Sequence, residues 1–175
     1  GAHERGPTEI LLVHEGRGGE KGMIRVGIIG CGKMADQHAL QIKRIPGAEI
    51  IGVSDNEPLM SRQMAERFQI KHHFSNAQEM CDSLKPDVVH ITTPPPSHYQ
   101  LGKMCLDAGC NAYIEKPFTL NTAEAVDLID LANRRGLKVM AGHNAQFTHV
   151  MVRMRELVKK GYLGGKPVHM ESQYC

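Results

Sequence analysis

Short apolar runs rich in valine and isoleucine alternate with stretches of helical periodicity from Met23 onward. This alternation is typical of repeated strand–helix–strand units. Because the runs are nearly continuous in apolar residues, both faces of the sheet are expected to be covered by helices. The pattern therefore predicts an α/β fold with a doubly wound parallel sheet. The predicted strands are Ile24 to Ile29, Glu49 to Ser54, Val88 to Thr92, Ala112 to Ile114 and Val139 to Gly142.

Three of the segments between the strands carry one apolar stripe each at helical spacing. The third also has helix punctuation: Asn121 is a predicted N-cap, Glu124 follows three residues later, and Gly136 comes after the last periodic residue. The stripes consist of Ala35, Ala39 and Ile42, then Leu101, Met104, Cys105 and Ala108, then Ala125, Leu128, Ile129 and Ala132.

The 175 residues divide into three predicted parts. Residues 1–22 are rich in glycine and charge around one short apolar patch, and we interpret them as a disordered leader or tag remnant. Residues 23–147 contain the strand–helix units and are the predicted dinucleotide-binding domain. Residues 148–175 predict a connecting helix and, in the alternating segment KPVHMESQY, the first strand of a truncated α+β substrate domain.

Composition excludes several classes of partner. Apolar residues make up 41% of the chain and charged residues 23%, with a formal net charge of +2, which is ordinary for a globular protein. Basic residues are scattered, so no nucleic-acid surface is indicated, and no apolar segment approaches the roughly 20 residues that cross a membrane. The five cysteines form no CxxC pair and are odd in number, which favours a reducing cytoplasm over a disulfide framework or zinc ribbon.

A glycine-rich turn follows the first predicted strand. It reads Gly30-Cys-Gly-Lys-Met-Ala35, a G-x-G-x-x-A motif that opens a helical stretch. Gly30 permits the tight turn, Gly32 lets a pyrophosphate approach the backbone, and Ala35 lets the helix pack closely on the strand. Because the start of a helix offers free N–H groups to an anion, the motif predicts dinucleotide binding that includes Lys33 and Met34.

The second predicted strand is followed by Asp55-Asn56, near the position expected for an acid that binds the adenosine ribose. A carboxylate there can accept hydrogen bonds from both ribose hydroxyls, whereas the 2′-phosphate of NADP would meet a like charge. Asp55 therefore favours NAD over NADP. The alternative is a turn aspartate with no ligand.

Polar residues and prolines recur where the later strands end. In isolation, Glu115-Lys116-Pro117 is typical of a solvated turn. However, ligands of doubly wound sheets bind outside the carboxyl ends of the strands, and TTPPPSH, from Thr92 to His98, and GHNAQF, from Gly142 to Phe147, are predicted at the same edge. This recurrence favours a functional role for Lys116, with Pro117 as a rigid position whose peptide bond can be trans or cis.

The ordered set GCGKMA, Asp55, ITTPPPSH, EKP and GHNAQF resembles the cofactor-binding half of the glucose-fructose oxidoreductase, inositol dehydrogenase and rhizopine-catabolism (Gfo/Idh/MocA) family. The resemblance implies a Rossmann domain, NAD as cofactor, and oxidation of a secondary alcohol on a sugar or cyclitol by a homo-oligomeric enzyme. It implies that Lys116 lies near the nicotinamide and transfers a proton, and that Glu115 lies near the nicotinamide ribose. Further implied cofactor contacts are Thr92, Thr93, Pro94, His98 and Asn144.

Some positions leave alternatives open. Pro95 and Gln146 stand where the family often has Asn and Arg, so contacts at these two places are not carried over. His98 suits local capping of a helix start as well as contact with the nicotinamide. The pair His72-His73 is a weak metal candidate because no third ligand lies at a suitable spacing.

Two other function classes are compatible with parts of the pattern. A non-catalytic nucleotide-binding or sensor module would keep the glycine turn and Asp55 but would not need Lys116. A methyltransferase that uses S-adenosylmethionine is disfavoured because Ile28 and Ile29, not an acid, precede the glycines. Since the family's substrate wall lies in a second domain, we expect these 175 residues to bind NAD without completing catalysis.

Overall fold

A six-stranded parallel sheet forms the centre of the computed structural model, which describes residues 22–162, 164–165 and 169. The strands lie in the order β3-β2-β1-β4-β5-β6, and all neighbouring pairs are parallel. Strands β2 and β3 are added on one side of β1 and strands β4 to β6 on the other, so the topological switch point lies between β1 and β4. This confirms the doubly wound α/β fold. The strands are β1 Ile24–Ile29, β2 Ala48–Ser54, β3 His72–Phe74, β4 Val88–Ile91, β5 Asn111–Ile114 and β6 Val139–Ala141.

Helices follow the strands in the way the alternating pattern predicts. They are α1 Lys33–Ile42, α2 Pro58–Phe68, α3 Ala77–Leu84, α4 His98–Asp107, α5 Thr122–Arg135 and α6 His149–Lys159. The predicted punctuation of α5 is confirmed: the Asn121 side chain accepts a hydrogen bond from the Glu124 N–H at 2.9 Å, and Gly136 ends the helix with φ +66°.

Two apolar clusters lie on opposite faces of the sheet. One packs α1 and α2 against β1 and β2, and it includes the predicted stripe of Ala35, Ala39 and Ile42. The other packs α3, α4 and α5 against β4 and β5. The prediction that Ile129 lies on the apolar face of α5 is wrong: this side chain is 47% exposed, whereas Leu131 is buried. The reason is that the packed face of α5 is centred on Leu128 and Ala132.

Strand ends differ from the predictions by at most one residue, since backbone pairing extends one residue beyond an apolar run or stops one residue inside it. The pattern missed β3, which is three residues long and carries two histidines. His72 and His73 lie on this edge strand, and the described residues include no group of three His, Cys, Asp or Glu side chains arranged to hold a metal ion.

The chain divides into two compact units, and the boundary falls after Gly142. The sheet and α1 to α5 belong to the first unit. In the second, a short 3-10 turn from Asn144 to Phe147 precedes α6, and the Thr148 hydroxyl accepts a hydrogen bond from the Met151 N–H at 3.4 Å. The predicted leader lies outside the described residues except for Gly22, and most of the predicted final strand does too.

No helix in the described part of the chain is long and apolar enough to cross a membrane.

Candidate functional site

Backbone hydrogen bonds join four loops at the carboxyl edge of the sheet. The Gly30 N–H donates to the Ser54 carbonyl at 2.8 Å, and the Thr92 N–H donates to the Ile29 carbonyl at 2.9 Å. On the next strands, the Glu115 N–H donates to Ile91 at 3.0 Å and the Gly142 N–H donates to Ile114 at 2.7 Å. These bonds extend the ladders beyond the strands, so the loops after β1, β4, β5 and β6 share one edge with the end of β2.

The glycine turn is crowded at Gly30 and open at Gly32. Gly30 has φ +89°, and a Cβ there would lie 2.7 Å from the Thr93 methyl group and 2.9 Å from the Thr93 nitrogen. Gly32 differs: a Cβ built there would have no neighbour within 4 Å. Gly32 also precedes α1 with no side chain capping the helix, so the first amides of α1, at Lys33, Met34 and Ala35, face a space that a phosphate can enter.

Asp55 connects the ends of β1 and β2. Its Oδ2 accepts a hydrogen bond from the Cys31 N–H at 2.7 Å, and its Oδ1 accepts one from the Glu57 N–H at 2.9 Å. Each carboxylate oxygen offers two lone pairs, so each keeps one for a further donor such as a ribose hydroxyl. Asn56, the next residue, is exposed.

The Cys31 side chain is buried beneath this turn. Its Sγ lies 3.5 Å from the Ser54 carbonyl oxygen. Burial, together with the negative charges of Asp55 and Asp36, raises the pKa of the Cys31 thiol to about 12. Cys31 is therefore an uncharged packing residue within the glycine turn.

The loop after β4 forms hydrogen bonds with the glycine turn and packs against it. The Thr92 hydroxyl donates to the Gly30 carbonyl at 2.7 Å and also lies 3.1 Å from the Ile29 carbonyl. Ser97 donates to the Thr93 hydroxyl at 2.7 Å, and Pro94 is exposed at the start of a short 3-10 turn. Within the described residues, Thr92 thus contacts backbone of the glycine turn, and Thr93 packs against Gly30.

His98 joins two of the edge loops. The side chain is fully buried, with Nδ1 2.8 Å from the Pro117 carbonyl oxygen and Nε2 2.8 Å from the Thr93 carbonyl oxygen. In this arrangement both ring nitrogens face backbone oxygens. The ring therefore holds the loop after β4 against the Lys116-Pro117 turn, where the sequence left capping and cofactor contact open.

Lys116 follows β5 at the same edge. Its side chain is exposed, and among the described residues its Nζ has no hydrogen bond or ion pair. The peptide bond between Lys116 and Pro117 is cis, one of the two forms that the sequence left open. The ammonium group is therefore free to contact a ligand at this edge.

Glu115, immediately before Lys116, is 5% exposed and points back beneath α1. Its Oε1 lies 3.0 Å from His38 Nε2, and its Oε2 accepts a hydrogen bond from the Lys116 N–H at 3.2 Å. His38 Nδ1 in turn lies 2.9 Å from His90 Nδ1. The resemblance implied a ribose contact for Glu115, and in this structure the carboxylate is occupied by His38 and the adjacent backbone.

Two aromatic contacts complete this cluster. The rings of His90 and Tyr113 stack at 4.7 Å between centroids, and the His38 ring meets Tyr113 edge-on at 5.4 Å. Burial and, to a lesser degree, the nearby charge of His38 lower the pKa of His90 to about 3. Burial and the charge of Glu115 raise the pKa of Tyr113. His90 and Tyr113 are therefore uncharged at neutral pH.

Sequence reasoning missed His38 and His90. A signal was present for His38, which lies three residues after Ala35 and four before Ile42 and so falls within the apolar stripe of α1. A polar residue at such a position needs a buried partner. The partners themselves could not be read from the sequence because they come from β4 and the end of β5.

Asn144, the remaining predicted cofactor contact, belongs to the second compact unit, where it begins the 3-10 turn.

A family model described as an oxidoreductase family with an NAD-binding Rossmann fold matches residues 24–143. D-glucoside 3-dehydrogenase of Escherichia coli (strain K12) is 31% identical over 142 residues, which cover 81% of this chain and 40% of that protein. Myo-inositol 2-dehydrogenase of Thermotoga maritima is 26% identical over 141 residues, covering 81% and 42%.

Among solved structures, GenD2 from gentamicin A biosynthesis in complex with NAD superposes with a TM-score of 0.77 at 26% identity, covering 84% of this chain and 42% of that one. The chain therefore spans about two fifths of the length of these relatives.

Proposed function

The chain belongs to the Gfo/Idh/MocA family of oxidoreductases, and from this premise we propose that it is the cofactor-binding part of an NAD-dependent dehydrogenase that oxidises a secondary alcohol on a sugar or cyclitol. The observation that carries the proposal is the shared sheet edge. It brings the open glycine turn, the carboxylate of Asp55 and the exposed side chain of Lys116 to one side of the fold.

The pyrophosphate of the cofactor would lie over Gly32 and the first turn of α1. The open space at Gly32 supports this, since a side chain there would fill the approach to the amides of Lys33, Met34 and Ala35. Pro94, exposed after β4, would contact the cofactor from the adjacent loop. NAD bound at this edge would supply the hydride acceptor for the carbon that bears the substrate hydroxyl.

Asp55 would select NAD over NADP. Its two oxygens are fixed by the N–H groups of Cys31 and Glu57, so the carboxylate is held in one orientation before a ligand arrives. Each charge-assisted hydrogen bond to a ribose hydroxyl contributes on the order of 1.5–3 kcal/mol, whereas a 2′-phosphate would be repelled. Asn56 is close enough in sequence to contribute a further polar contact.

Lys116 would receive the proton that the substrate hydroxyl loses. A lysine beside a cationic nicotinamide has its ammonium form disfavoured, which suits a proton acceptor. Its exposure at the carboxyl edge and its lack of any partner among the described residues leave Nζ available for that contact. Substrates of the relatives, a D-glucoside and myo-inositol, both carry secondary hydroxyls, which supports the sugar or cyclitol class.

Calorimetric titration of the 175-residue chain with NAD, NADP and S-adenosylmethionine tests the cofactor part of the proposal. We expect NAD to bind and Gly32→Val to abolish binding. The valine has room in the protein and an allowed backbone conformation, at φ −83°, so it should cost only about 1 kcal/mol of helix capping. Binding of NAD by a folded Gly32→Val variant, or a preference for S-adenosylmethionine, would contradict the proposal.

A further inference from the structure

We infer that His38 is a positioning residue for the turn that carries Lys116, acting through a buried hydrogen-bond chain of defined proton arrangement. The chain runs from His90 Nδ1 to His38 Nδ1, from His38 Nε2 to Glu115 Oε1, and from Glu115 Oε2 to the Lys116 N–H. The inference rests on the proposed role of Lys116.

The proton positions follow from the geometry. A carboxylate only accepts hydrogen bonds, so an ionised Glu115 requires a proton on His38 Nε2. In the neutral form of His38, Nδ1 is then an acceptor, and the proton between the two Nδ1 atoms belongs to His90. If His38 is instead an imidazolium, its Nδ1 donates and neutral His90 carries its proton on Nε2. In both cases His38 Nε2 donates to Glu115.

The surroundings hold this arrangement in place. His38 has only 11% of its side chain exposed and Glu115 6%, so water competes little for their hydrogen bond. The stacked ring of Tyr113 covers His90. Within the described residues, no other charged side chain forms a hydrogen bond or ion pair with His38, His90 or Glu115. Removing the imidazole would leave Oε1 of the buried Glu115 carboxylate without its donor.

Gly142 provides independent support for a fixed Glu115. A Cβ at Gly142 would lie 2.8 Å from Glu115 Oε1 and 3.2 Å from its Cα and Cδ. The chain directly after β6 therefore leaves room for the carboxylate only because residue 142 is a glycine. Glu115 is confined between His38 on one side and the Gly142 backbone on the other, and the Lys116 N–H is bonded to that confined group.

Nitrogen-15 NMR of the imidazole rings in the 175-residue chain tests the proton arrangement directly. With both rings neutral, we expect a proton on His38 Nε2, a proton on His90 Nδ1, and a scalar coupling between the two Nδ1 nitrogens across their hydrogen bond. The imidazole signals of each ring are assigned by their disappearance from the spectra of His38→Gln and His90→Asn. A bare His38 Nε2, or no coupling between the Nδ1 atoms in either charge state, would overturn the inference.

Amide exchange of Lys116 tests the positioning role. We expect His38→Ala to speed exchange of the Lys116 N–H about tenfold or more, corresponding to loss of one hydrogen bond to a charged group, while His38→Gln keeps it near the wild-type rate. Glutamine can place an amide N–H where His38 Nε2 lies. The matched control is Gln37→Ala, an exposed position on the same helix, which should change nothing.

The inference and the proposed function can fail separately. If NAD does not bind but the coupling and the rescue by glutamine are observed, the hydrogen-bond chain stands and the cofactor assignment fails. If NAD binds and Lys116 exchange is the same in wild type, His38→Ala and His38→Gln, the positioning role is wrong. Should His38→Ala not fold, His38→Asn replaces it, because its shorter amide does not reach Glu115 Oε1: faster exchange of the Lys116 N–H in this variant than in His38→Gln supports the positioning role, and equal rates contradict it.

Discussion

The two ends of the candidate site are built differently. At the β1 and β2 end, the proposed cofactor contacts are backbone amides and one carboxylate, and a sequence motif predicts them. At the β5 end, Lys116 projects outward from a turn whose support is a buried side-chain network drawn from α1, β4 and β5. The first end is a local motif, whereas the second depends on tertiary structure, so substitutions should affect them in different ways.

The largest expected effect is at the β5 end. In an enzyme that joins this domain to a substrate domain, Lys116→Ala should lower turnover at least about a hundredfold while NAD affinity changes little, because the proposed proton acceptor is lost. Lys116→Arg should lower turnover by a similar factor, since a guanidinium keeps its proton. Steady-state rates together with an NAD titration measure both quantities. A fully active Lys116→Ala enzyme would return this residue to the status of a solvated turn lysine.

At the β2 end, Asp55→Ala should weaken NAD binding by about ten- to a hundredfold and narrow the preference for NAD over NADP by a similar factor. The physical reason is the loss of charge-assisted bonds to the ribose together with loss of repulsion toward a 2′-phosphate. Parallel titrations with both dinucleotides measure the change. A wild-type chain that prefers NADP would show that Asp55 is misassigned.

A smaller effect is expected at Gly30, where the cost of crowding a new methyl group can be separated from the cost of a positive φ. Gly30 and Gly109 both have positive φ, +89° and +84°, but only Gly30 is crowded, by the Thr93 backbone and methyl group. Gly109→Ala should cost about 1 kcal/mol of stability from the left-handed conformation alone, and Gly30→Ala should cost roughly 1–3 kcal/mol more. Urea unfolding of the two variants gives the difference, and equal losses would mean that the turn relaxes around a methyl group.

The effect that is smallest at neutral pH concerns Cys31, whose ionisation influences stability only when the pH is alkaline. Because the folded-state pKa of Cys31 is raised from its usual 9.0 to about 12, the unfolded thiol ionises first as pH rises. Its contribution to stability is therefore complete below pH 9 and lost progressively toward pH 12. Cys31→Ala should flatten the decline of unfolding free energy across this window. An unchanged slope in urea titrations would argue that the thiol is not buried.

How far the sequence predicts the molecule also differs between the two ends. The doubly wound sheet and the stripe of α1 could be read from apolar spacing because they are properties of contiguous residues. The short strand β3 was missed because it is three residues long and two of those residues are polar. The partners of Glu115 could not be found, since His38 and His90 lie 77 and 25 positions earlier in the chain and only the fold brings them together.

His98 illustrates the same limit. The sequence left two roles open, and the structure reveals a third, in which the ring joins the Thr93 and Pro117 carbonyls. A residue at the start of a helix can be assigned a local capping role from its position. A contact with a loop 19 residues further along requires the packing of β4 against β5 to be known.

The most direct test of the central claim, that one sheet edge forms a single NAD site, is a titration of the nitrogen-15-labelled chain with NAD followed by amide chemical shifts. The account predicts changes at Gly32, Lys33 and Met34, at Asp55, and at Lys116, with little change at Gly47 and Gly109, which lie before β2 and β5 at the opposite edge. Changes confined to the opposite edge, or at the glycine turn but not at Lys116, would contradict it.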